Sequence, residues 1–86
     1  MEMIPKNVDA ILNCVQCRQR LIAAHGKSGI TLYGANASQE HVLVKVTKTG
    51  IKAKTFQRDG KIRVSRYDEN GSHVADTFEG EYIPLS

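Results

Sequence analysis

Between His41 and Gln57 apolar residues return at every second position. Val42, Val44 and Val46 come first; Ile51, Ala53 and Thr55 then alternate with Lys52, Lys54 and Phe56. A repeat of two belongs to extended chain, whose side chains point to opposite faces in turn, and not to a helix with its repeat of 3.6. The stretch therefore predicts two half-buried strands, one side toward a core and the other toward water. Lys48-Thr49-Gly50 between them reads as a turn, and so short a link makes the pair antiparallel and adjacent.

The remaining segments fit around this pair. Ile30-Thr31-Leu32-Tyr33, between Gly29 and Gly34, is short and strand-like, and Gly34 to Gln39 reads as a loop. Asp59-Gly60 and Asn70-Gly71 are hairpin signals. Between them Lys61 to Tyr67 forms a strand with Ile62 and Val64 inward. Ser72 to Phe78 forms the last, with Val74 and Phe78 as its core residues. The expected strands are about 29–34, 40–48, 51–57, 61–67 and 72–78.

Upstream the period changes. Val8, Ile11, Leu12, Val15 and Ile22 recur at helical spacing, which predicts a helix over about 6–25. Pro5 and Asn7 suit its start, Asp9 its first turn and His25 its last, with Gly26 just past the end. The predicted class is α+β: an N-terminal helix packed on one face of a four- to five-stranded antiparallel β-meander, with 1–86 as a single domain. With 41% hydrophobic and 24% charged residues among 86, the chain is too apolar for disorder. It is also too short for a large core, so dimerisation is one way to cover leftover apolar surface.

No run approaches the ~20 apolar residues of a membrane span. The first residues, with Glu2 ahead of Lys6 and no long apolar stretch behind them, do not resemble a signal peptide. A cytoplasmic protein without membrane partners is the expectation, in a compartment where cysteines stay reduced.

Few motifs suggest chemistry. Cys14-Val15-Gln16-Cys17 supplies half of a zinc ribbon's ligands, but the second half is missing, and only His25 stands within the same element. A thioredoxin-like redox reading needs the pair to open a helix after a strand, whereas the apolar pattern puts it mid-helix. Gly26-Lys27-Ser28 lacks the earlier glycine and preceding strand of a phosphate-binding loop. His25, His41 and His73 are scattered, and the acids cluster toward the C-terminus. The chain reads as non-enzymatic, with no cofactor and no metal.

Charge is the informative signal. Residues 39–67 carry eight Lys and Arg against Glu40 and Asp59, whereas residues 68–86 carry five acids and no base. Strand alternation with Ile62 and Val64 inward places Lys45, Lys52, Lys54, Lys61 and Arg63 opposite the core, with Phe56 and Tyr67 among them. Cations beside rings on an open face suit phosphates and bases. Like charges on neighbouring strands repel, so a phosphate backbone or the acidic tail should offset them. Residues 57–71, Gln57-Arg58-Asp59-Gly60-Lys61-Ile62-Arg63-Val64-Ser65-Arg66-Tyr67-Asp68-Glu69-Asn70-Gly71, loosely resemble a hairpin in the arm-binding domains of phage-type integrases. Those domains insert a three-stranded sheet into the major groove. There the helix follows the sheet, whereas here it precedes it, and the resemblance ends with the hairpin. The sequence thus points to nucleic-acid binding through those seven residues. The alternative is a protein-interaction module (homodimer, adaptor or inhibitor) using the same face or a strand edge.

Overall fold

The structure is a computed structural model that describes residues 8–83. Helices α1 (Asp9–Leu12) and α2 (Val15–His25) precede strands β1 (Ile30–Ala35), β2 (His41–Thr47), β3 (Gly50–Phe56), β4 (Lys61–Tyr67) and β5 (His73–Glu81). The strands form one antiparallel sheet in chain order, as a meander must when its connections are short. The α+β class holds. Val8 and Leu12 join Leu32, Val42, Val44, Val46, Ile51 and Ala53 in the core, with Ile11, Leu21, Ile22, Ile30 and Tyr67 packed at its margin. The alternation of β2 and β3 thus marks the buried side correctly.

The expected helix over 6–25 is not continuous, and its residues 6 and 7 lie outside the described residues. Asn13 leaves helical geometry (φ −89°, ψ 6°) and Cys14 is extended (φ −131°, ψ 122°). The Arg18 guanidinium takes up the Leu12 carbonyl that an unbroken helix would satisfy internally. An unbroken 20-residue helix would be about 30 Å long, beyond the ~23 Å of a seven-residue strand. The break keeps both pieces over the sheet. It also removes Val15 from the apolar stripe, leaving it 43% exposed. At the far end Gly26 stays right-handed (φ −59°). Its missing side chain serves close packing, since a Cβ there would stand 2.9 Å from the Thr47 carbonyl oxygen.

The hairpins follow one pattern. In β1–β2 the Asn36 amide donates to the Glu40 carbonyl and the Gln39 amide to that of Asn36; 57–61 and 68–72 repeat both bonds. Each loop therefore has three residues, and the third adopts a left-handed conformation: Gln39 at φ 66°, Gly60 at 90° and Gly71 at 79°. Asn36 and Asp68 close their loops alike, each side-chain oxygen accepting from the amides two and four residues on. Only β2–β3 uses two residues, Thr47 pairing directly with Gly50.

Loop length decides which way β4 faces. A two-residue loop at Asp59-Gly60 would pair 58 with 61, and so place Lys61, Arg63 and Tyr67 beside Lys52, Lys54 and Phe56. The three-residue loop instead pairs Phe56 with Ile62, Lys54 with Val64 and Lys52 with Arg66. A one-residue slip turns every side chain over. Ile62 and Val64 accordingly lie on the face away from the helices, where Val64 is fully buried outside the main core. Val74 and Phe78, expected inside, are 61% and 62% exposed: Val74 lies on the face away from the helices, beside Arg66, and Phe78 sits on the edge strand opposite Arg63, whereas α2 packs mainly on β2 and β3.

Candidate nucleic-acid interface

The open face of the sheet is a grid read from its register. Lys45, Lys52 and Arg66 stand directly opposite one another across β2, β3 and β4, with Thr31 and Ala75 continuing the row outward. The next row runs Tyr33, Leu43, Lys54, Val64 and Thr77, and beyond it lie His41, Phe56 and Ile62. One end of the face is therefore cationic and the other aromatic.

At the cationic end Lys45, Lys52 and Arg66 line a shallow depression of about 460 Å³, together with Thr47, Thr49 and Val74. None of the three cations makes an ion pair within 4 Å among the described residues. Lys54 differs: its ammonium lies 3.0 Å from the Glu79 carboxylate. The hydrogen bond from Lys54, helped by the charges of Lys52 and Arg66, holds the Glu79 carboxyl below its usual range. The acidic C-terminal segment thus folds back on one of four cations and leaves a row of three.

At the aromatic end Tyr33 stacks on His41, with ring centroids 5.5 Å apart and planes 18° from parallel. The Tyr33 hydroxyl and His41 Nδ1 share a hydrogen bond. Tyr33 is half exposed. Phe56 meets Tyr82 edge to face at 5.5 Å, and the Tyr82 amide and hydroxyl bind the carbonyls of Gly60 and Gln57. Phe56 is thereby partly covered by the chain's own C-terminal segment.

Of the seven residues expected to share this surface, Lys45, Lys52, Lys54 and Phe56 do so. Lys61, Arg63 and Tyr67 point to the helix side, because the β3–β4 loop is longer by one residue. Lys61 lies over Phe78, its nitrogen 5.7 Å from the ring centre. Arg63 borders a cavity of about 110 Å³ beneath α1, where its Nε is buried without a hydrogen-bond partner. Tyr67 lies under the Arg18 guanidinium at 4.6 Å, and burial pushes its hydroxyl pKa up. Arg66, Tyr33 and His41 were not among the expected residues. Tyr33 follows from the inward Leu32 beside it; Arg66 follows only once the loop length is known.

The cysteines lie apart from this face. Cys14 caps the N-terminus of α2, and His25 ends the same helix. Eleven residues at 1.5 Å each separate them by roughly 16 Å, so His25 cannot complete a zinc site with the pair. No cluster of three or more His, Cys, Asp or Glu fit to hold a metal occurs among the described residues. No described helix is long and apolar enough to cross a membrane. No family model, curated protein or solved structure matches this chain.

Proposed function

We propose that this protein binds nucleic acid without catalysing a reaction, through the open face of its sheet. One observation carries the reading: Lys45, Lys52 and Arg66 are directly opposed on adjacent strands, with no acid paired to them within 4 Å among the described residues. Like charges so placed destabilise a sheet. A row of phosphates relieves that repulsion and releases counterions as it binds. Tyr33 and His41 offer a stacked aromatic surface for bases along the same face.

The test is fluorescence anisotropy with labelled single-stranded and duplex oligonucleotides across a salt series. Three engaged phosphates give a log–log slope of about −2.7 on duplex and about −2 on single strands. Lys52→Glu should weaken binding at least about tenfold, since it removes one contact and repels the phosphate beside it. Lys61→Glu, on the opposite face, should leave binding within about twofold. A flat salt response, or equal effects of the two substitutions, overturns the reading.

A second reading rests on β5. It is an edge strand carrying exposed Val74 and Phe78, and such edges recruit further strands, from another protein or from a second copy of this chain. Sedimentation would then show a dimer or complex that Phe78→Lys abolishes while Lys52→Glu does not.

A further inference from the structure

The sequence places Cys14-Val15-Gln16-Cys17 inside a helix, but the break at Asn13 moves the pair to a helix start. Cys14 is the N-cap of the 11-residue α2, and Cys17 is the third residue after it. The Cys14 sulfur occupies the place usually held by a serine or aspartate oxygen: it accepts the Cys17 amide N–H at 3.3 Å. Both are partly exposed, and the chain holds no other cysteine.

We infer that Cys14 and Cys17 form a dithiol site that reacts with low-molecular-weight disulfides and closes to an intramolecular disulfide. The geometry gives the two sulfurs different tasks. Negative charge on Cys14 faces free helix amides and the positive end of the helix dipole. The Cys17 side chain, then the hydrogen bond from the Cys17 amide, holds the Cys14 thiol below its ordinary pKa, with Arg20 adding to the effect. Cys17 is pushed the other way, first by Cys14. Cys14 is therefore the attacking sulfur and Cys17 the resolving one.

In the first step the Cys14 thiolate attacks one sulfur of a disulfide RSSR. The S–S bond breaks, and RS⁻ leaves to take up the proton that Cys14 gave to solvent. In the second step Cys17 loses its proton and attacks Cys14 Sγ. This forms the Cys14–Cys17 bond and expels the second RS⁻, which takes that proton. Two protein thiols are oxidised, and one RSSR is reduced to two RSH. The site lies away from the open sheet face, and the inference stands independently of nucleic-acid binding.

The experiment equilibrates the full chain in mixtures of reduced and oxidised glutathione, followed by iodoacetamide and intact-mass measurement. As the oxidised fraction rises, the protein should pass from two alkylated thiols to none. Its mass should then be lower by two hydrogens with no glutathione retained, and dithiothreitol should reverse the change. Cys17→Ser should stop at one glutathione on Cys14. Serine is a good N-cap, so Cys14→Ser keeps the helix start. Its remaining Cys17 should react with iodoacetamide at neutral pH at least about tenfold more slowly than Cys14 does in Cys17→Ser. Thiols that stay alkylatable at every ratio, stable glutathione adducts on the unsubstituted protein, or equal rates in the two serine variants would each overturn the proposal.

Discussion

Arg18 joins three segments with one planar group. Its Nε donates to the Gly71 carbonyl at 2.6 Å, its Nη1 caps Leu12, and its face covers Tyr67. Lysine cannot reproduce that fork. Arg18→Lys should lower stability by roughly 1–2 kcal/mol and Arg18→Ala by roughly 2–3 kcal/mol, given charged hydrogen bonds of about 1.5–3 kcal/mol each. Urea unfolding measures both, and near-equal stability of the lysine variant and the original would count against the shared-fork account. Gln39 presents the opposite case. It holds φ 66° at the loop position that glycine occupies in two sister hairpins. The strain of a side chain there exceeds the unfolded-state entropy that glycine adds. Gln39→Gly should therefore stabilise by about 0.5–1 kcal/mol, raising Tm by a few degrees. An unchanged or lower Tm would refute this.

At the scale of elements, the β3–β4 connection governs what the sheet displays. Asp59→Asn, with Arg58 kept, makes the central pair Asn-Gly, which favours a two-residue turn pairing 58 with 61 and hence the other register. Arg63 and Tyr67 would then turn to the lysine side, while Val64 would turn toward α2 and displace the Tyr67–Arg18 contact. The native packing opposes that exchange. We expect a hairpin strained between two registers, with a clear loss in Tm and faster hydrogen exchange across β4 and β5. Unaltered protection of β4 amides would show that loop length does not set the register. The same logic explains why α2 docks where it does. Gly71 lies against the helix, where a Cβ would meet the Val15 carbonyl oxygen at 3.0 Å and the Gln19 side chain at 3.1 Å, and Gln19 also binds the Asn70 carbonyl.

For the molecule as a whole, carboxylates tie distant turns together. Glu40 accepts from the Asn36 side chain and from the Arg58 amide, linking the β1–β2 loop to the β3–β4 loop. The Asn36 bond, with that amide second among the favourable contacts, holds its pKa down. Asp76 is held down by the Ser65 hydroxyl first and then by His73. A carboxyl whose folded pKa lies below its unfolded value stabilises the fold above the unfolded value, near 4. That contribution is lost as pH falls through the folded one. Tm should therefore hold on this account from pH 7 to about 5 and decline below about 4. Glu40→Gln should make the decline shallower and lower the plateau. An identical acid limb in the variant would exclude Glu40 as a contributor.

The sequence by itself determined the class, the order of the elements and the buried side of β2 and β3. Those follow from side-chain period and turn chemistry within a few residues, which local sterics enforce. It also marked Lys45, Lys52, Lys54 and Phe56 as outward, because each neighbours an inward residue on its own strand. Tertiary structure decided the rest. The facing of β4 depended on one loop residue, and the helix break on an arginine that reaches back to Leu12 and across to a hairpin far along the chain. Neither leaves a periodic trace, since each is a choice between locally similar conformations settled by contacts distant in sequence. Those two choices moved Arg66 into the cationic row and Cys14 to a helix start.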